Sequence, residues 1–156
     1  MRLILERKYK ADLPKGLSAK ELNNFFRGCK WTPDPWGQLL DYISKPEKFY
    51  ITKKGDCDDW ACFAANVICY PAFILTVNWY NPGGEKFIDR FAGHNVCLFF
   101  VGLRWWHAGN WGIRGPFESL KMVIKDIIPD GSIPVLAAVR TPSLKIREVI
   151  KLKGDI

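Results

Sequence analysis

The sequence has only two histidines, His94 and His107, and no Cys-x-x-Cys pair. That excludes the usual zinc ligand sets. Cys62 and Cys69 lie about two helical turns apart, and His94 and Cys97, three apart on a strand, point to opposite faces. No apolar run approaches the roughly 20 residues of a membrane-spanning helix, so no membrane partner is expected. The N-terminus meets charge after Leu3-Ile4-Leu5; no secretory signal is read there, and a cytoplasmic location is the expectation. Internal repeats and low-complexity tracts are missing, and Gly83-Gly84 is a turn rather than a phosphate-binding loop. No metal and no cofactor are expected.

Excess positive charge is missing where the chemistry would be. The net charge is +7, with eight Lys/Arg against three acids in residues 1–30 and five against two in 140–156. Residues 31–139 carry ten against eleven. The aromatics are not interleaved with Lys and Arg as a base-stacking platform requires, so no specific nucleic-acid partner is expected.

What is present is a globular composition, 48% hydrophobic with seven Trp, ten Phe and five Tyr. One domain is expected over residues 1–156, with a core at about 17–140 and a basic tail over 141–156. Five cysteines are an odd number, so at least one stays free or pairs with another chain; reduced, buried thiols fit all but Cys57.

Ser18-Ala19-Lys20-Glu21 is a capping box, followed by Leu22, Phe25 and Phe26 at helical spacing. Asp34-Pro35 predicts a second helix with Trp36, Leu39, Leu40 and Ile43 as its apolar stripe, closed by Pro46. Asp56 is expected to cap a third. There Cys57, Ala61, Ala64, Ala65 and Ile68 share one face of small residues, and Pro71 is the expected stop. Strands are predicted over 72–80, 94–101, 104–110 and 134–140, with a tight turn at Gly102-Leu103 and a helix over 117–128. Both faces of the strands are apolar, so the sheet should be covered. Helices followed by mostly antiparallel strands argue an α+β fold.

A catalytic thiol needs a lowered pKa, a base and donors for an oxyanion. Cys57 in a first helical turn has the helix dipole, which takes such thiols from about 8.5 to between roughly 3.5 and 7.5. Its own backbone N–H, free at a helix start, is a ready oxyanion donor. A cysteine inside a tight Gly-Asp-Cys-Asp-Asp turn is poorly placed as a mere core residue.

Lys54-Gly55-Asp56-Cys57-Asp58-Asp59-Trp60-Ala61 resembles the nucleophile motif of the transglutaminase-like superfamily, above all its bacterial cysteine proteinases. Trp36 and Pro46-Glu47-Lys48-Phe49 resemble the helical lead-in of those proteins, and Gly93-His94 their Gly-His element. Trp105-Trp106 to Asn110 resembles the strand that ends in their third catalytic residue. The resemblance covers about residues 30–125. It implies a papain/transglutaminase-like α+β fold, with the nucleophile at a helix start packed on a small antiparallel sheet. Cys57 would be the nucleophile, His94 the base and Asn110 the orienting residue. The family usually has Asp at that third place; papain-like enzymes use Asn. Asn110 can also be read as a turn residue, and His107 is the reserve histidine. Trp36, through its indole N–H, and Gln38, through its amide, are candidate oxyanion donors. The implied activity is cysteine-dependent acyl transfer, as hydrolysis of a peptide, isopeptide or amide bond in a peptide or protein substrate. The alternative is an inactive member of the family serving as a binding or assembly module.

Overall fold

The computed structural model describes residues 9–33, 43–85 and 90–152. The capping box forms as expected. Ser18 N donates to Glu21 Oε2 at 2.8 Å, Glu21 N donates to Ser18 Oγ at 3.3 Å, and α1 (Ala19–Arg27) buries Leu22 and Phe26. The short strand β1 (Lys30–Trp31) follows.

Two helix limits differ from expectation. Pro46 does not close a helix; it opens α2 (Pro46–Thr52), because its fixed φ and missing N–H suit a first helical position. The predicted helix from Asp34-Pro35 lies almost wholly outside the described residues. The nucleophile helix α3 (Cys57–Val67) stops before Pro71 is reached. Ile68 is extended there, and Leu17 exchanges hydrogen bonds with Val67 and Cys69 at 2.8 and 2.9 Å, so a bridge to the N-terminal segment replaces the last helical turn.

Between α2 and α3, β2 (Lys54–Gly55) pairs in parallel with β1. The rest is a six-stranded antiparallel sheet. It contains β3 (Ala72–Tyr80), β4 (Phe91–Val101), β5 (Arg104–Gly109), β6 (Gly112–Phe117), β7 (Ile133–Arg140) and β8 (Ile146–Lys151) in the order β6-β5-β4-β3-β7-β8. Helix α4 (Leu120–Ile127) precedes β7. Strand β6 is not foreseen, since Gly112-Ile113-Arg114-Gly115-Pro116 carries turn residues; it forms as the returning arm of the β5 hairpin. The segment after Ser143, undetermined from its pattern, supplies the edge strand β8. The Gly102-Leu103 turn has φ of 57° and 64°, as a two-residue hairpin of this hand requires.

The sheet is covered on both faces, and the strand period sorts residues between them. Ile74, Cys97, Phe99 and Ala108 pack under α3, whose Ala61 and Ala64 are fully buried and let the helix lie close to the strands. Leu75, Val77, Val96 and Leu98 pack under α4 against Val123, Ile124 and Ile127. Aromatic rings fill the α1–α2–α3 side, with Phe25 and Phe63 at 4.7 Å and Phe26 and Trp60 at 4.7 Å. The architecture is α+β, with Cys57 at the start of a helix packed on an antiparallel sheet.

Candidate active site

The approach to Cys57 is tightly held. Thr32 N donates to Gly55 O at 2.9 Å and the Trp60 indole donates to the same oxygen at 3.1 Å. Ser44 N donates to Asp59 Oδ1 at 2.6 Å. A β-carbon at Gly55 would overlap the Asp59 side chain, so any larger residue there forces Asp59 to move. Asp56 takes the N-cap position of α3, but its side chain makes no capping hydrogen bond, contrary to expectation.

Cys57 lines a cavity of about 770 Å³ whose walls include Trp31, Asn78, His94, Asn95, Asn110 and Trp111. Its sulfur faces β4. The contact there is Asn95, whose Nδ2 lies 3.9 Å from Sγ. Thr76 Oγ1 donates to Asn95 Oδ1 at 2.5 Å, and Arg140 Nη1 donates to Thr76 Oγ1 at 2.7 Å. None of these three residues is among the sequence candidates. A signal was present: Asn95 is in phase with Cys97 and Phe99, and Thr76 and Asn95 are polar breaks in apolar strands.

His94 pairs with Val77 across the sheet and alternates onto the face that α4 covers. Its ring stacks on Trp111 with centroids 4.0 Å apart, and its buried Nε2 has no hydrogen-bond partner. Among the described residues, no hydrogen bond joins His94 to Cys57 or to Asn110. Asn110 and Trp111 form the turn between β5 and β6, with Asn110 Oδ1 buried and unpartnered. His107, the reserve histidine, is fully buried on the α4 face and bonded through Nε2 to Asp126 Oδ2 at 2.8 Å. Trp36 and Gln38 lie outside the described residues. Cys57, His94 and Asn110 thus share one cavity without a hydrogen-bonded chain between them.

The electrostatics correct the expected thiol. Burial pushes Cys57 up to about 11, Asp56 and Asp58 push the same way, and hydrogen bonds from Asn95 only partly offset them. The thiol is protonated at neutral pH, because burial penalises the anion more than the hydrogen bonds from Asn95 favour it. Burial takes His94 down to about 4, assisted by nearby His107, so its imidazole is neutral. Burial also raises Asp59 to about 6, against the pull of Ser44 N–H and Lys48. Asp56, Asp58 and Asp59 bring one oxygen each to within 4.8 Å of one another.

No family model matches the sequence, and no curated protein does. Solved structures do. The chain is similar to Legionella pneumophila LapG. The alignment has 17% identity and a TM-score of 0.45, covering 88% of this chain and 68% of that one. The calcium-bound form of LapG matches with 17% identity and a TM-score of 0.43 over 87% and 74% of the two chains. The EGTA-treated form matches with 18% and 0.42 over 83% and 69%. These values describe a distant likeness of chain trace, and the chemistry rests on the site itself. No helix among the described residues is long and apolar enough to cross a membrane.

Proposed function

We propose that this chain is a cysteine-dependent hydrolase of transglutaminase-like type, which cleaves a peptide, isopeptide or amide bond through a thioester on Cys57. The observation that carries the reading is the placement of Cys57: first residue of a buried helix, sulfur toward a cavity that also holds an imidazole. A cavity walled by Trp31, Phe91 and Trp111, with Asp56 and no Lys or Arg among its described lining residues, suits an extended peptide segment without acidic side chains.

The steps follow from the residues. Cys57 Sγ attacks the carbonyl carbon as its proton passes to the neutral His94 imidazole. The oxyanion is met by N–H groups of the first turn of α3, whose first internal bond is Trp60 N to Asp56 O. The C–N bond breaks as the imidazolium protonates the amine. Water, deprotonated by the same ring, then cleaves the thioester and restores the thiol. This route requires the His94 ring to turn off Trp111 toward the sulfur. In the structure the ring is buried against Trp111, next to Cys97↔Ala108, the last β4–β5 pair on that side, so the turn must break the stacking. Asn110, beside it in the turn, would accept from the other ring nitrogen in the engaged state.

A second reading, an inactive fold used for binding or assembly, is favoured by one observation: the sulfur meets an amide and the thiol is protonated. Turnover of a fluorogenic peptide pool separates the two. The enzyme reading expects cleavage that Cys57→Ser and His94→Ala both abolish. Absence of cleavage on every peptide, or cleavage that survives Cys57→Ser, would overturn it.

A further inference from the structure

The acyl-transfer scheme leaves Asn95, Thr76 and Arg140 without a task, yet their hydrogen bonds end at the reactive sulfur. Three adjacent strands supply them: Arg140 from β7, Thr76 from β3 and Asn95 from β4, with Thr76 and Asn95 directly paired across the sheet. Chemistry forces the direction of this chain. A guanidinium only donates, so Thr76 Oγ1 accepts from Arg140 at 2.7 Å. The single hydroxyl hydrogen of Thr76 is then directed to Asn95, which must present its oxygen, at 2.5 Å. The amide group left over is the NH₂, and it is the one that faces Cys57 Sγ at 3.9 Å.

We propose that Arg140, Thr76 and Asn95 form an orienting relay that holds amide N–H groups against Cys57 Sγ and stabilises the sulfur when it becomes anionic. Asn95 touches the reacting atom and is the catalytic member. Thr76 and Arg140 are positioning residues, which prevent the amide from turning its oxygen to the sulfur. The charged groups facing the thiol from α3, Asp56 and Asp58, are both acidic and oppose ionisation. The relay is the counterweight on the β4 side. The proposal rests on the reading of Cys57 as nucleophile, but its test does not require turnover.

The experiment is the pH dependence of Cys57 alkylation by iodoacetamide in the full chain, followed peptide by peptide by mass spectrometry. Asn95→Ala and Thr76→Val should each raise the midpoint by about one unit, so that the rate at any lower pH falls about tenfold. Thr76→Ser keeps the hydroxyl and should retain the original profile. The Asn95→Ala/Thr76→Val pair should shift it no further than Asn95→Ala alone, because both act through one contact. A merely structural role would lower the melting temperature and leave the midpoint in place. Unchanged midpoints in folded Asn95→Ala and Thr76→Val overturn the relay; should Asn95→Ala fail to fold, the contrast between Thr76→Val and Thr76→Ser decides. Unchanged midpoints with peptide turnover intact remove the relay alone. Shifted midpoints in a protein that cleaves no peptide support the relay and remove the enzyme reading.

Discussion

The Asn95 amide, rather than the His94 imidazole, faces the Cys57 sulfur, with Nδ2 at 3.9 Å. One residue of strand alternation makes this difference. Asn95 shares a face with Cys97 and Phe99 beneath α3, and His94 shares the other with Val96 and Leu98 beneath α4. The thiol therefore sits in a half-buried amide and carboxylate environment. The imidazole rests against Trp111 at the rim of the same cavity.

The cysteines should label in an order set by burial. Cys69 is exposed and should react first with iodoacetamide at pH 8. Cys57, raised to about 11, should lag at neutral pH and accelerate through the alkaline range. Cys62 and Cys97 are buried and should react only on unfolding. Peptide mapping checks this; preferential labelling of Cys57 at pH 6–7 would restore the lowered thiol read from the helix position alone.

Two buried groups should give opposite pH dependences of stability. His94 has a folded value of about 4 against about 6.5 unfolded. Its stabilisation is present above pH 6.5 and lost as pH falls through 4, about 3 kcal/mol in all. Asp59 has a folded value of about 6 against about 3.9 unfolded. Its contribution is present below about pH 4 and lost as pH rises through 6. Relative to wild type, His94→Asn should therefore lose less stability between pH 7 and 4, and Asp59→Asn should lose more. Urea unfolding at the two pH values reads both signs.

Much of the architecture was legible because its causes are local. The Ser18–Glu21 capping box, the Ala72–Tyr80 strand and the Gly102-Leu103 turn each follow from side chains within a few positions. The misreadings are tertiary. Pro46 suits either the end of one helix or the start of the next, and Phe49, fully buried among Trp60 and Phe63, is what favours the start. Strand β6 exists because β5 offers it a partner. The helix start at Cys57 was evident from Asp56, Asp58 and Asp59, but the raised thiol depends on burial beneath strands far along the chain.

Asn110 separates the triad from a plain turn. Its Oδ1 is buried without a partner, so Asn110→Ala removes no hydrogen bond made in this state and should change stability by less than about 1 kcal/mol. Under the enzyme reading it should lower turnover nonetheless, and Asn110→Asp should keep or raise it. Melting temperature and turnover of both variants give the answer; equal turnover in all three proteins would return Asn110 to a turn role.

Gly55→Ala should be severe. The new methyl would overlap the Asp59 carboxyl, which Ser44 N holds in place, and the overpacking should cost about 1–3 kcal/mol. Thermal unfolding measures it. A variant as stable as wild type would mean that the lead-in to Cys57 is looser than this packing implies.

The central claim is that Cys57 carries an acyl group. Its most direct test is intact-protein and peptide-level mass spectrometry of the chain, acid-quenched during reaction with the peptide pool. The expected result is an adduct of one acyl group on Cys57, released by hydroxylamine as a thioester is, with no thioester in Cys57→Ser. An adduct absent at all times, or found instead on the accessible Cys69, would contradict the account.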